Sequence, residues 1–244
     1  MYTSVYMGQV FVGTSGFSYR DWVGPFYPED LPREEFLRYY SSRFSFVELN
    51  FSYYRQPSDG MIEQMRRKVP EDFLFSIKAH GSMTHERSPQ WQGECSTFRR
   101  GVEPLLENDQ CAGVLLQFPY SFHYNRENRM YLDGLMKELR ELPLLVEFRN
   151  SEWEKEQVFD ELRRRSAGLV LTDLPAIDKL PEAARTVTAD TSYIRFHGRN
   201  RENWWGGDNV SRYDYLYSRE ELEERLPDLQ ALMESSRRLF IAFN

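Results

Sequence analysis

Eight short apolar, β-rich runs, each ending abruptly in polar or ionisable residues, limit what this chain can become more than any other feature. They span residues 10–13, 46–49, 73–77, 114–116, 144–146, 169–171, 193–196 and 239–243. Runs such as Val114-Leu115-Leu116 and Leu169-Val170-Leu171 are apolar throughout, as strands covered on both faces must be. Amphipathic segments separate most of them. Phe36, Leu37, Tyr40 and Phe44 recur at helical spacing, as do Met61, Ile62, Met65 and Val69, and Leu132, Leu135, Met136 and Leu139; Phe98, Val102, Leu105 and Leu106 make a shorter stripe. This alternation predicts an α/β chain folded as a (β/α)8 TIM-like barrel, with its functional groups at the carboxyl ends of the strands.

A length of 244 residues suits one barrel domain over residues 1–244, and no linker, repeat or low-complexity tract marks a boundary. Pro227 interrupts residues 219–236, which predicts two short helices with the proline opening the second. Pro175 and Pro181 predict an irregular connection between Asp173 and Thr191. Three connections on the presumed functional side are long: 14–32, 79–94 and 198–218. The third places Trp204, Trp205, Tyr213, Tyr215 and Tyr217 around a Gly206-Gly207 pair, the composition of a hinged hydrophobic cover.

A formal charge of −7 argues against a broad basic face for long polyanions. Residues 195–217 interleave aromatics with Arg195, Arg199, Arg201 and Arg212, but Glu202, Asp208 and Asp214 leave a balance of only +1, so nucleic acid is weakly supported as a partner. Cys95 and Cys111 form no CxxC pair and are read as structural thiols of a reducing compartment. The first nine residues lack the features of a secretory leader and no apolar run nears membrane-spanning length, so the expectation is a cytoplasmic protein with no membrane partner.

Side chains alternate along a strand, so Glu48 and Asn50 share a face, as do Glu147 and Arg149, and Arg195 and His197. With Lys78 and Asp173 they predict three carboxylates, three permanent cations and an imidazole around one cavity. Most of these charges must be paired, and one reading is a buried network that only braces the strand ends. The reading preferred here is an enzyme for a small or nucleotide-sized anionic substrate bearing phosphate or carboxylate. Arg195, Arg149 and Lys78 hold the anion, with Arg199 beside them after the seventh strand. Glu48 or Glu147 serves as general acid or base in hydrolase or isomerase/lyase-type chemistry, and His197 and His85 exchange protons. Ser15 is a ligand-contacting or capping hydroxyl, since Gly13-Thr14-Ser15-Gly16-Phe17 does not form a nucleophile elbow. Trp22 and Tyr53 offer rings for stacking. No cofactor is expected. The alternative is a divalent metal held by Glu48, Glu147, Asp173 and His197 in a phosphoester hydrolase, against which the three nearby cations and the absence of an HExxH spacing weigh. A non-catalytic binding module is a further alternative.

The motifs together resemble one family, the YecE-like proteins or domain of unknown function 72. The resemblance runs through Gly13-Thr14-Ser15-Gly16-Phe17 with Trp22 and Phe26-Tyr27-Pro28, then Val47-Glu48-Leu49-Asn50, Tyr53-Tyr54-Arg55 and Lys78 with Thr84-His85. It continues with Leu115-Leu116-Gln117-Phe118-Pro119, Glu147-Phe148-Arg149, Asp173, Tyr193-Ile194-Arg195-Phe196-His197-Gly198-Arg199 and Phe243-Asn244. It implies a TIM-like barrel akin to sugar isomerases and endonuclease IV-type enzymes, without an established activity. It also implies Glu48, Asn50, Lys78, His85, Gln117, Glu147, Arg149, Asp173, Arg195 and His197 as matching polar positions, with Asn244 beside them. Similar proteins continue past Phe-Asn into a further helix, so this chain is expected to lack the final outer helix.

Overall fold

The computed structural model describes residues 8–182 and 186–244. Its strands fall on the eight apolar runs: β1 (Gln9–Thr14), β2 (Phe46–Leu49), β3 (Leu74–Lys78), β4 (Cys111–Phe118), β5 (Leu144–Phe148), β6 (Gly168–Asp173), β7 (Thr191–Phe196) and β8 (Arg238–Phe243). The helices are α1 (Phe36–Ser41), α2 (Asp59–Arg66), α3 (Gly81–Thr84), α4 (Trp91–Glu107), α5 (Arg126–Glu138), α6 (Glu156–Arg164), α7 (Asn209–Tyr213) and α8 (Arg219–Ser235). The strands form one sheet in the order β1-β8-β7-β6-β5-β4-β3-β2, and the pairs β2–β3, β3–β4, β5–β6, β6–β7 and β7–β8 are parallel. This is the TIM-like (β/α)8 fold. β8 ends one residue before Asn244.

The residues group into two compact units that interleave in sequence. The first takes the segment ending at Phe11, Gln117–Tyr131 and Leu145–Asn244. Its core sets Leu171, Ile194, Phe196, Leu239 and Ile241 of β6, β7 and β8 against Leu232 of α8, with Leu222, Leu229 and Met233 packed alongside. That continuous stripe corrects one expectation: residues 219–235 form a single helix, with Pro227 inside it. Pro227 is exposed, so its ring stays on the solvent side while leucines on both sides of it keep one face on the sheet. A capping box between Ser218 and Glu221 secures the helix start. Between β6 and β7 the described residues contain no helix, as Pro175 and Pro181 predict.

The second unit takes Val12–Leu116 and Leu132–Leu144. Phe46, Val47, Phe75, Ile77, Val114 and Leu115 of its strands are fully buried, and Ile62 of α2 and Phe98, Val102 and Leu105 of α4 are buried with them. Phe44 and Val69 fall beyond the ends of α1 and α2, so both helices are shorter than their stripes; Phe44 still stacks on Tyr40 at 4.8 Å. Ser15 and Glu48 form a parallel bridge that joins the end of β1 to β2.

Candidate functional site

In the first unit, strand alternation brings Glu147 and Arg149 to the end of β5, and Arg195 and His197 to the end of β7. Arg195 lies level with Thr172 of β6 and Ala242 of β8, two small residues that leave room for its guanidinium. Arg195 donates Nη1 to Glu147 Oε2 at 2.7 Å, and Arg149 donates Nε to Glu147 Oε1. Burial alone would raise the Glu147 pKa, but Arg149 and Arg195 overcome it and hold the carboxyl well below its ordinary range. Glu147 is therefore a fixed anion. Two guanidiniums converge on this one carboxylate.

His197 is the fourth member. Its Nε2 lies 3.0 Å from Arg149 Nη2 and 3.6 Å from Glu147 Oε1. A guanidinium can only donate, so Nε2 is the bare nitrogen and Nδ1 carries the proton. Burial and then the charges of Arg149 and Arg195 push its pKa well below 6.5, so the ring is neutral at physiological pH. His197 Nδ1 has no hydrogen-bond partner among the described residues, although the ring is only 1% exposed. Arg149, at 11% side-chain exposure, is the group's contact with solvent. Its guanidinium lies 5.9 Å from the ring of buried Trp204, and Tyr213 lies 5.7 Å from His197.

Asp173 organises a second cluster in the same unit. Arg199 donates Nε to Oδ1 and Nη2 to Oδ2, both at 2.9 Å; Arg225 donates Nε to Oδ2 at 2.6 Å, and the Tyr217 hydroxyl donates to Oδ1 at 2.9 Å. Burial would raise the pKa of Asp173, but the Arg199 hydrogen bond and the Arg225 charge bring it below its ordinary value. Arg199 also meets Glu224 at 3.2 Å and Glu221 at 3.5 Å. The Gly198 backbone N–H donates to the Tyr217 hydroxyl at 2.9 Å. Gly198 has φ of +83°, and a Cβ there would sit 2.5 Å from Tyr215 Cβ, so the turn after β7 needs glycine. Asp173 thus clasps both ends of the 198–218 connection. Within that connection Trp204 packs on Leu174 and Leu180, while Trp205 is 54% exposed and meets Tyr120 edge-on at 4.9 Å.

In the second unit Glu48 is fully buried and accepts Asn50 Nδ2 at 3.0 Å. Ser15 is buried, and its Oγ has no hydrogen-bond partner among the described residues. Lys78 Nζ lies 4.4 Å over the Tyr53 ring, His85 meets the same ring at 4.8 Å, and Thr84 Oγ1 bonds His85 Nδ1 at 2.9 Å. Trp22 meets Tyr19, Phe26 and Tyr27 in an aromatic cluster and remains partly exposed.

The structure therefore joins Glu147, Arg149, Arg195 and His197 in one unit, and Glu48 with Asn50 in the other. Gln117 is buried near the end of β4, and Asn244 is exposed with its backbone N–H bonded to Phe196 O at 2.9 Å. Arg199 is committed to carboxylates rather than held open for an anion. The donor sets for a divalent ion fit poorly: both oxygens of Glu147 and of Asp173 are taken by guanidiniums, and among the described residues no three His, Cys, Asp or Glu side chains form a metal-ligand group. Cys95 and Cys111 are buried, and burial pushes the Cys95 thiol up to about 12. Sequence reasoning missed Arg225. Its signal was an arginine at helical spacing between Leu222 and Leu229, on the stripe that faces the sheet.

No described helix is long and apolar enough to cross a membrane. UPF0759 protein YunF of Bacillus subtilis is 30% identical over 96% of this chain and 88% of its own length. A DUF72 family protein from Thermotoga maritima superposes with a TM-score of 0.86 at 40% identity, covering 97% of this chain and 92% of that one. Another from Enterococcus faecalis, at 24% identity, shares the fold with a TM-score of 0.86 over 97% of this chain and 89% of its own. The family model described as protein of unknown function DUF72 matches residues 11–244, and the chain belongs to that family.

Proposed function

We propose that this protein recognises a small anionic molecule, bearing phosphate or carboxylate, at the Glu147–Arg149–Arg195–His197 group. The observation that carries this reading is the buried, unpartnered His197 Nδ1–H beside the guanidinium of Arg149, the member of the group that reaches solvent. Arg149 supplies the planar fork that reaches the ligand. Glu147 and Arg195 hold that fork in place. His197 contributes a neutral donor that polarises a ligand oxygen without moving a proton. Glu147 and His197 are both held away from neutral pH, so the geometry supports binding and polarisation here more than proton shuttling between them.

Isothermal titration with inorganic phosphate and with malonate tests the reading. Saturable binding is expected, with Arg149→Ala weakening it by about tenfold or more. Arg149→Lys keeps a charge beside Glu147 and therefore the fold, but loses the fork and weakens binding as well. Arg201→Ala, on an exposed loop position, leaves it unchanged. Equal affinity in wild type and both Arg149 variants, or no binding at all, overturns the proposal.

A further inference from the structure

The second unit holds a cleft of about 690 Å³, within the ~300–1,000 Å³ range of small-molecule sites. Met61 and Met65 line it one turn apart on α2, with Leu37 of α1 also in its wall. Ile62 already supplies the buried anchor of α2, which leaves the two half-buried methionines available to the cleft. Methionine is the side chain best able to adapt to a ring of undetermined shape.

Two cations and two carboxylates, Glu34 and Glu48, stand in the same lining, and Glu48 already accepts the Asn50 amide. Arg33 donates Nε to Ser18 Oγ at 3.0 Å, and Lys68 donates Nζ to the Glu34 backbone oxygen at 2.8 Å. Both acceptors are neutral, so among the described residues no ion pair takes either charge. Asn50 adds an acceptor. A carboxylate only accepts, so the nitrogen of the Asn50 amide must face Glu48, which turns Oδ1 away. That oxygen is buried without a partner, a cost of about 1–3 kcal/mol for such a group.

We propose that this cleft binds an amphipathic anion, a molecule with an apolar ring system and an acidic group. The ring lies against Met61, Met65 and Leu37, the acid meets Arg33 and Lys68, and a ligand N–H satisfies Asn50. The site does not depend on the anion reading of the first unit, because no residue is shared.

Anilinonaphthalene sulfonate combines a ring system, an N–H and an anion, and its uncharged parent phenylnaphthylamine lacks only the anion. Fluorescence titration of the folded protein is expected to show saturable binding of both. Met65→Trp, which fills the cleft, should weaken both by about tenfold. Arg33→Ala with Lys68→Ala, a change confined to the rim, should weaken the sulfonate about tenfold and spare the parent. Absence of saturable binding, or binding indifferent to Met65→Trp, overturns the site. Equal loss of both dyes in the double variant overturns the anionic class, and that arm still decides if Met65→Trp fails to fold.

Discussion

Glu147 and Asp173, buried carboxylates of the first unit, take their roles from their partners. Glu147 has two guanidiniums and Asp173 two guanidiniums and a phenol, so both are held ionised. This gives Arg195 a bracing part. Removing one member of a buried pair leaves the other charge poorly compensated, a loss of about 3–5 kcal/mol. Arg195→Ala is accordingly expected to lower the urea midpoint strongly, whereas exposed Arg201→Ala changes it little. Equal midpoints for the two variants would show that Arg195 is not holding Glu147. The sharing of a face by Glu147 and Arg149, and by Arg195 and His197, was legible from strand alternation. Which oxygen each arginine takes was not, because side-chain pairing between β5 and β7 depends on their placement in the sheet.

Elements were legible where the apolar pattern was unambiguous. All eight strands fall on their runs, because a strand covered on both faces must be apolar along its length. The 219–235 segment shows the limit of local reading. Proline in a helix interior removes one hydrogen bond and crowds the preceding turn, yet packing of Leu222, Leu229 and Leu232 on the sheet outweighs this. Pro227→Ala should therefore stabilise the protein, by at most about 3 kcal/mol, with helical circular dichroism unchanged or slightly higher. A lowered melting temperature would mean that the proline is needed where it stands. The 198–218 connection was read as a hinged cover from its rings and glycines, and Asp173 supplies a clasp that the sequence alone did not reveal. Asp173→Asn keeps the shape but loses the charge. It should speed hydrogen exchange in that connection more than in β7 or β8, and uniform protection would argue against the clasp.

For the whole molecule, the buried groups predict how stability depends on pH. The pKa of His197 lies well below 6.5 in the folded chain, so below that pH the unfolded chain binds the extra proton. Its contribution is fully present above pH 6.5 and is lost as pH falls toward the depressed folded value. Glu147 and Asp173 act with the same sign at lower pH: their contributions are present above 4.5 and 3.8 and are lost as pH falls toward their lowered folded values. The unfolding free energy from urea titration should fall between pH 7 and pH 5, by at most about 1.4 kcal/mol per pH unit from one group. His197→Gln should flatten that slope. An unchanged slope in the variant would assign the effect to other groups.

The sequence by itself determined the strand runs, their parallel α/β class and the polar residues at their ends, because periodicity and burial are local properties of the chain. Tertiary structure alone decided which charges neutralise one another. Arg225 reaches Asp173 across 52 residues and Arg195 reaches Glu147 across 48, and only the folded sheet brings such groups within hydrogen-bond distance. The same contacts set the protonation of His197, since its burial and its two cationic neighbours exist only once the chain has folded.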